Sequence, residues 1–481
     1  MISLIMNKGI FENDIRVLVM AFFPGEKIVL GQKEAFDYCI DYMIHENKLS
    51  LSITNGQGKA KTLTLELSAD DIINRNMVKR LTYDLLSEYA GKQLPWGTLT
   101  GIRPTKIIMN LLDKGYEEKD IYQYFKSEYY ISDSKYTICR QVAENERKVL
   151  KPLDLNNSYS LYIGIPFCPT ICAYCSFSSY PLHVWEDKVD DYLEALFKEI
   201  DYVSKLQAGK PLLTVYMGGG TPTSLSAGQM QRLLEKLYQC FPMDLALEVS
   251  VEAGRPDSIT KDKLEVIKKY GIHRLSINPQ TMNQKTLDII GRKHTPSQVV
   301  DAFLLARENG FTNINMDIIS GLPGETPDNI KYTLDEIKKL NPEGMTVHSL
   351  ALKRAAIFNQ PDYMYKETNH EDINAMIEQT YKAAGTMHMS PYYLYRQKNI
   401  AGNLENIGYS KQGYEGIYNI LMMEEKQTII AVGSGATTKI VSQEDKSVKR
   451  IENVKSVKDY IERIDEMIRR KEKELAKPCG L

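Results

Sequence analysis

The sequence predicts an α/β fold: a partial (β/α)6 barrel with an N-terminal α+β module and a mostly helical C-terminal domain. Short apolar runs alternate with amphipathic stretches between Tyr159 and Leu352, which is the pattern of parallel βα units. Glycine or proline stands at many of the strand ends. Hydrophobic residues make up 43% of the 481 residues and charged residues 25%, as in a globular protein with a large core. Six such units also allow an open doubly wound sheet, but the strand count favours the partial barrel.

Residues 1–150 are expected to form a separate module. The apolar, β-branched run Ile15–Phe23 ends at Pro24–Gly25 and predicts a buried strand. Alternating residues on both sides of Asn55–Gly56 predict a hairpin. Helical spacing follows over residues 72–89, 105–112, 121–125 and 136–150. The pattern therefore predicts a small α+β module, whose role it does not assign.

Residues 151–355 carry the βα alternation. The expected strands are Tyr159–Ile165, Leu213–Met217, Leu247–Val251, Arg274–Ile277, Ile314–Ile319 and Met345–Leu350. The expected helices are Asp190–Leu206, Gln229–Cys240, Thr260–Tyr270, Pro296–Asn309 and Asp328–Leu340. In an open sheet and in a barrel alike, the functional site lies at the carboxyl ends of such strands.

Residues 356–481 lose this alternation and are expected to form a C-terminal domain on the substrate side. Asp372–Met389 has helical spacing, and Thr428–Val432 is a short apolar run that predicts a strand. The chain ends in a charged amphipathic helix over about Val457–Leu475.

Composition excludes several classes of protein. Sixty basic and 62 acidic residues give a net charge of −2, which argues against sequence-independent nucleic-acid binding. Seven cysteines are an odd number and cannot form a closed disulfide framework. No stretch approaches the roughly 18 apolar residues of a membrane span, and the N-terminus lacks the pattern of a targeting signal. We expect a cytoplasmic protein with reduced thiols and no membrane span.

Three cysteines follow the first strand of the βα core. Cys168, Cys172 and Cys175 stand in YIGIPFCPTICAYC, and three thiolates so close in sequence can wrap one soft metal centre. A structural zinc site, with His183 as fourth ligand, and a chance grouping of buried thiols are the alternatives. Closed zinc sites usually use two separated pairs of ligands, and the sequence has no second Cys-x-x-Cys. The spacing favours a [4Fe–4S] cluster with one iron open, shielded by Tyr174.

The spacing CxxxCxxC after a first βα strand resembles the radical S-adenosylmethionine (SAM) superfamily. A second motif agrees, because Met217–Pro222 reads MGGGTP after the second strand and looks like that family's motif for the SAM amino group. Glycine amides can approach a ligand closely, although a tight turn would need the same residues. The resemblance implies SAM bound at the open iron and cleaved to a 5′-deoxyadenosyl radical.

Further matches stand near the ends of the later strands. A strand-end carboxylate is often a helix cap and an Arg–Asp pair often a surface ion pair, but together the matches argue for a site. The resemblance implies that Cys168, Cys172 and Cys175 bind the cluster. It implies a SAM site lined by Tyr162, Tyr174, Gly219, Gly220, Thr221, Glu252, Gln280, Arg292, Asp317 and Ala351.

A narrower resemblance is to oxygen-independent coproporphyrinogen III dehydrogenases and their relatives, which include heme chaperones. It rests on the order of YIGIPFCPTICAYCSF, GGGTPTSL, HRLSINPQTMNQKTLDIIGRKHT and DIISGLPGET. The N-terminal module and the segment that begins YRQKNIAGN look like the HemZ-type branch. Gly164 departs from the histidine of many members. A second SAM molecule, held by oxidising members, would meet Gly435–Thr437, where this sequence is less similar.

The resemblance implies decarboxylation of two propionates of coproporphyrinogen III to the vinyl groups of protoporphyrinogen IX. Flavodoxin or ferredoxin would reduce the cluster. The competing functions are a heme-binding chaperone and another anaerobic radical SAM reaction on a tetrapyrrole. A substrate with four carboxylates should bind to cationic and tyrosine side chains. The candidates are Lys353, Arg354, Tyr393, Tyr395, Arg396 and Lys398. The alternative is that these six are ordinary surface residues.

Overall fold

The computed structural model describes the chain except residues 32–35, 57, 59, 102, 351–355, 360–369, 397–404, 443, 446 and 476–481. The chain divides into two compact units. One comprises Met1–Glu144 and Leu394–Glu405, and the other comprises Asn145–Tyr393 and Asn406–Leu481. Among the described residues, no helix combines the length and apolarity that crossing a bilayer requires.

The first unit is built around a five-stranded sheet. Its strands are β1 Ile2–Met6, β2 Ile28–Leu30, β3 Tyr38–His45, β4 Lys48–Asn55 and β5 Ala60–Glu66, in the spatial order β2-β1-β3-β4-β5. The helices are α1 Glu12–Phe22, α2 Asp71–Ala90, α3 Thr105–Asp113, α4 Glu118–Tyr129 and α5 Asp133–Leu150, the last of which continues beyond the unit. The antiparallel pairing of β4 with β5 confirms the predicted hairpin.

The predicted strand at Ile15–Phe23 is wrong, because this segment forms helix α1. Ile15, Leu18, Val19 and Phe22 are buried and recur at the spacing of one helical face. Glu12 and Asp14 lie in the first turn, where negative charge is favourable. The β-branched residues suggested a strand, but the helical period decides the structure.

Six parallel strands form the centre of the second unit. They are β6 Tyr159–Ile165, β9 Leu212–Gly219, β10 Glu248–Gly254, β11 Arg274–Ile277, β12 Asn313–Ser320 and β13 Gly344–Ser349, and they lie side by side in chain order; two short strands, β7 Phe167–Cys168 and β8 Tyr180–Pro181, pair beside them. The helices are α6 Leu182–Trp185, α7 Val189–Leu206, α8 Ala227–Cys240, α9 Lys261–Lys269, α10 Gln284–Ile289, α11 Pro296–Glu308 and α12 Pro327–Leu340. The six predicted strands are all present.

Five later strands extend this sheet on both sides. They are β14 Ser390–Arg396, β15 Glu405–Ser410, β16 Thr428–Val432, β17 Thr437–Val441 and β18 Val448–Glu452. The accompanying helices are α13 His370–Thr386, α14 Ile417–Glu424, α15 Val457–Glu462 and α16 Ile464–Leu475. Strand β15 runs antiparallel to β13, and β16 runs parallel to β6. The six central strands therefore do not close on one another, as expected of a partial barrel. In the described part of residues 356–481, more residues lie in helices than in strands, as predicted. Of the strands, only β16 was predicted, because short edge strands such as β17 and β18 carry too little apolar pattern to be recognised.

Candidate active site

The three cysteines lie on the segment from Phe167 to Cys175 that follows β6, called here the cysteine loop. Cys168 ends the short strand β7, and Cys172 and Cys175 come after it. Cys172 is buried, and the Cys175 amide donates to the Cys172 carbonyl at 3.0 Å. Cys168 Sγ lies 3.4 Å from Thr221 Oγ1 in the glycine motif. The loop is also bonded to the turn after α10, since the Ala173 amide donates to a carbonyl there at 3.0 Å. The structure thus brings the two sequence motifs into contact.

The thiols occupy an environment that disfavours an uncompensated negative charge. Burial raises the pKa of Cys168 to about 11, and the neighbouring sulfurs of Cys172 and Cys175 add to this increase. Burial likewise raises the pKa of Cys175. Thiolates are the form that binds metal, so the site requires a cationic partner to hold them deprotonated. A bound iron centre would supply that charge.

Two buried arginines face the cysteine loop. Arg255 Nη1 lies 3.7 Å from Cys172 Sγ and donates to Thr170 Oγ1 at 2.9 Å. Burial alone would lower the pKa of Arg292, but Tyr174 and Cys172 beside it raise that pKa above its usual value. The two guanidinium groups offset negative charge at the sulfurs. Arg255 was not predicted, although its position in EAGRPD after the third strand is a signal that could have found it.

The geometry does not favour a single metal ion. Within the described ranges, no three His, Cys, Asp or Glu side chains converge to hold one ion. His183, the fourth ligand of the zinc alternative, is exposed. The ligands of a multi-iron cluster bind different iron atoms, so they need not meet at one point. The three cysteines therefore fit a cluster better than zinc.

The glycine motif packs tightly against the cysteine loop. The Gly220 amide donates to the Ile165 carbonyl and the Thr221 amide to the Phe167 carbonyl, both at 2.7 Å. Gly219 has a φ of +112°, a conformation that side chains rarely adopt. These contacts give the glycines a structural purpose in addition to the predicted ligand contact.

Two carboxylates lie near each other at the carboxyl ends of β10 and β12. Burial raises the pKa of Glu252 to about 7, and the negative charge of Asp317 adds to the increase. The Tyr216 hydroxyl donates to Glu252 Oε2 at 3.3 Å. His348 Nε2 lies 3.8 Å from Asp317 Oδ2. Paired carboxylates at the carboxyl ends of these strands suit a ligand that carries positive charge. His348 was not predicted from the sequence, although side chains alternate between the two faces of β13 and this alternation is a signal for it.

Unpartnered polar atoms also lie at this edge. Gln280 has a φ of 65°, and its backbone bridges to Asp317 and Ile319 with hydrogen bonds of 2.9 Å. Its side-chain Oε1 is buried without a hydrogen-bond partner in the described part of the chain, and the same holds for Arg292 Nε. Buried polar atoms normally have partners, so both are available to a bound ligand.

Tyrosines form the wall beside this region. Tyr162 and Tyr216 are stacked with ring centroids 6.3 Å apart, and Tyr418 of α14 stacks on Tyr216 at 4.7 Å. The Tyr162 hydroxyl lies 3.4 Å from the position of a Cβ at Gly219. Tyr418 was not predicted, because α14 lies far from the motifs in sequence.

Within the part of the chain that is described, the structure does not bring the predicted substrate contacts together at this site. Lys353, Arg354 and Lys398 lie outside the described residues, as does Ala351 of the predicted SAM site. Arg396 is buried in the first unit, where it lies over the Trp96 ring at 4.7 Å and donates to the Leu99 carbonyl at 2.6 Å. The structure therefore supports neither a substrate contact nor a surface location for Arg396. Tyr393 is buried against Gly408.

Sequence relatives identify the superfamily to which this site belongs. A model of the radical SAM superfamily matches residues 162–337. The oxygen-independent coproporphyrinogen-III oxidase-like protein HemZ of Bacillus subtilis (strain 168) is 40% identical over 457 residues, which cover 92% of this chain and 91% of that protein. The chain belongs to the HemZ-type family of radical SAM proteins.

Other relatives include a heme chaperone and a coproporphyrinogen III oxidase. Heme chaperone HemW of Bacillus subtilis (strain 168) is 34% identical over 311 residues, which cover 64% of this chain and 76% of HemW. The structure of coproporphyrinogen III oxidase (HemN) from Escherichia coli, a radical SAM enzyme, aligns with a TM-score of 0.53 at 24% identity. That alignment covers 68% of this chain and 73% of HemN, and it shows a shared fold. The predicted family and fold class are confirmed.

Membership of the superfamily establishes the cofactors as a [4Fe–4S] cluster and SAM. The residues of this structure fit both groups. Three thiols with two adjacent guanidinium groups suit an anionic iron–sulfur cluster. The glycine motif, the two carboxylates and the unpartnered Gln280 Oε1 suit SAM, which has a cationic sulfonium and several polar groups.

Proposed function

We propose that this protein catalyses the oxygen-independent oxidative decarboxylation of coproporphyrinogen III to protoporphyrinogen IX. The observation that carries the proposal is the contact between the cysteine loop and the glycine motif, with Cys168 Sγ 3.4 Å from Thr221 Oγ1. The likeness to HemZ over nearly the whole chain and the fold shared with HemN support this substrate. The reaction belongs to heme biosynthesis.

In this proposal Cys168, Cys172 and Cys175 hold the cluster through their thiolates. Cluster and SAM together supply the one-electron chemistry that removes a hydrogen atom from a substrate propionate. Arg255 and Arg292 offset the negative charge of the sulfur ligands.

The remaining predicted residues bind SAM in this proposal. Glu252 and Asp317 meet the positively charged part of SAM, and Gly219, Gly220 and Thr221 lie beside its polar groups. The amides of Gly220 and Thr221 donate to the Ile165 and Phe167 carbonyls, so they hold the motif in place beside the ligand. Tyr162 and Tyr216 exclude water from the same edge of the sheet. Tyr174 shields the cluster beside Arg292. Gln280 Oε1 accepts a hydrogen bond from the bound molecule.

Partners and domains follow from the same proposal. A low-potential donor, flavodoxin or ferredoxin, would reduce the cluster, and the cytoplasm would keep the thiols reduced. Residues 151–355 form the catalytic core and residues 356–481 the substrate side, with residues 1–150 as an additional module. Any second SAM molecule would lie near Gly435–Thr437.

A heme chaperone is the second candidate, favoured by the 34% identity to HemW. The same cofactor site would then support heme transfer without decarboxylation. A different anaerobic radical SAM reaction on a tetrapyrrole is the third candidate, and it would use the same residues.

Anaerobic reconstitution separates these functions. Protein reconstituted with iron and sulfide receives SAM, dithionite, an electron acceptor and coproporphyrinogen III. We expect 5′-deoxyadenosine, CO₂ and protoporphyrinogen IX. Stoichiometric heme binding without turnover would contradict the proposal and support the chaperone. Cys172→Ala should lose the cluster, whereas Cys240→Ala on α8, a matched control, should keep full iron.

A further inference from the structure

A buried carboxylate on α7 joins the C-terminal helix to the rest of the second unit. Glu199 and Lys471 of α16 are both fully buried, with Oε1 and Nζ 2.6 Å apart. The carboxylate also accepts hydrogen bonds from Asn453 Nδ2 at 2.8 Å and from the Tyr460 hydroxyl at 2.5 Å. Lys471 donates a second hydrogen bond to Asn453 Oδ1 at 2.8 Å. Charged and polar groups from four segments therefore satisfy one another inside the unit.

This network holds the turn that follows β16. The Gly433 amide donates to Glu199 Oε2 at 2.9 Å, and the Gly433 carbonyl accepts from Asn453 Nδ2 at 2.8 Å. The Gly435 amide donates to the Val454 carbonyl at 2.8 Å. Both polar groups of the Gly433 peptide backbone thus depend on the network.

The same turn touches the strand that leads into the cysteine loop. The Tyr192 hydroxyl donates to the Gly164 carbonyl at 2.6 Å and accepts from the Ser434 amide at 3.1 Å. A Cβ at Gly433 would lie 2.5 Å from the Gly164 oxygen, so the two backbones are in direct contact. The Tyr192 ring packs edge-on against Phe167, the residue before Cys168, with centroids 5.3 Å apart.

The same contact leaves little room at Gly164. A Cβ at Gly164 would lie 3.3 Å from the Val432 carbonyl and 3.7 Å from the Ser434 carbonyl. A side chain at this position would therefore require the end of β16 to shift slightly. Strand β6 and this turn form one packed layer ahead of the first cysteine.

Stability alone does not account for the Glu199–Lys471 pair. Removing two charges from water is costly, and well-packed apolar residues of similar volume are often as stable or more stable. The buried face of α16 already carries Ile464 and Met467, so an apolar residue would suit the position of Lys471. A buried ion pair with directional partners instead specifies one arrangement of the groups around it.

We propose that Glu199 and Lys471 are positioning residues for the cysteine loop. They fix the turn at residues 433–435, and through Tyr192 and Gly164 they fix the backbone that carries Phe167 and Cys168. The inference rests on the proposed assignment of Cys168 as a cluster ligand. In this inference helix α16 fixes the position of the cofactor site through Lys471, although no cluster ligand is assigned to that helix.

Three variants test the inference: Glu199→Gln, Lys471→Met, and the double variant. Each single variant leaves one buried charge or polar group without its partner and should lower the melting temperature. The double variant carries no buried charge, so its melting temperature should exceed those of both single variants. However, the amide introduced by Glu199→Gln then faces the Asn453 amide, and a flip of Asn453 removes the donor from the Gly433 carbonyl. The turn should remain displaced.

The decisive readouts report the cofactor site and not stability. They are iron per chain, the EPR spectrum of the dithionite-reduced cluster with and without SAM, and the dissociation constant for SAM. In the double variant we expect full iron, an altered EPR spectrum with SAM, and SAM binding weaker by about tenfold, the equivalent of one lost hydrogen bond. The exposed pair Lys458–Glu462 on α15 supplies the matched control, Lys458→Met with Glu462→Gln, which should change none of these values.

The outcomes separate a positioning role from a stabilising one. An unaltered EPR spectrum and SAM affinity in a stable double variant would overturn the inference. A double variant that fails to fold would also overturn it, because the pair would then be required for stability. Iron-free unmodified protein would refute the cluster assignment itself, which distinguishes that failure from failure of the positioning role.

Discussion

Replacing Gly220 with alanine should displace the cysteine loop. A Cβ at this position would lie 2.7 Å from the Phe167 oxygen and 2.8 Å from the Pro166 carbonyl carbon. Both are backbone atoms, so one of the two segments must move. Overpacking of this kind costs about 1–3 kcal/mol. The hydrogen bonds from the Gly220 amide to Ile165 and from the Thr221 amide to Phe167, both 2.7 Å, lie at the point of collision and would lengthen.

Thermal unfolding of anaerobic protein and iron per chain after reconstitution measure this effect. We expect Gly220→Ala to lower the melting temperature by several degrees and to reduce iron, because Phe167 precedes Cys168. Gly218→Ala should reduce iron less, since its Cβ would meet side-chain atoms of Glu252 and Tyr216 and not the backbone of the cysteine loop.

The control for these glycine variants is Gly228→Ala. Its Cβ would meet nothing within 4 Å, and in α8 the change should stabilise by about 0.5–1 kcal/mol. Unchanged iron and melting temperature in Gly220→Ala would refute the inferred close packing of the two motifs.

Three further predictions concern charged groups. Burial raises the pKa of Glu252 from its ordinary 4.5 to about 7, so the folded state binds this proton more tightly than the unfolded state. The free energy of unfolding should fall between about pH 4.5 and 7, and Glu252→Gln should remove up to about 3 kcal/mol of that decline. Arg255→Met should make the cluster potential more negative, because a positive charge beside Cys172 favours the added electron. Lys135→Met should cost the first unit about 1–3 kcal/mol, because it removes one hydrogen-bonded charge from the buried Glu405 carboxylate, which keeps the hydrogen bond from Trp96 Nε1 at 2.7 Å.

Each of these predictions has its own check. Melting curves of Glu252→Gln and unmodified protein across pH should converge near pH 4.5, and parallel curves would contradict the role of Glu252. Potentiometric EPR of Arg255→Met should be compared with Arg255→Lys, which retains the charge; equal shifts would exclude a charge effect. Lys135→Met should be compared with Lys458→Met on exposed α15, and equal stability of the two variants would contradict the burial of the Lys135 pair.

The βα core could be predicted from the spacing of its apolar residues and from the positions of the motifs after its strands. Each of the six central strands is a short apolar run bounded by a turn, and the structure places their ends within three residues of the predicted limits. Cys168 and Thr221 could be expected to meet because the carboxyl ends of neighbouring parallel strands lie at the same edge.

The parts that could not be predicted depend on tertiary context. His348 becomes a site residue only through Asp317 on the neighbouring strand β12. Lys471 lies on the buried face of α16, where a charge requires a partner such as Glu199 that no local pattern reveals. The run at Ile15–Phe23 shows a related limit, because β-branched composition and helical spacing point to different structures.

The parallel pairing of β6 with β16 has a consequence for biogenesis. Tyr159 pairs with Thr428, so the strand that leads to the cysteines lacks one neighbour until the ribosome has made most of the chain. Contacts between such distant segments form slowly. We expect the nascent protein to present the cysteine loop on an incomplete sheet during synthesis. Truncation before residue 428 should therefore leave one side of β6 unpaired and lower the iron bound per chain after reconstitution.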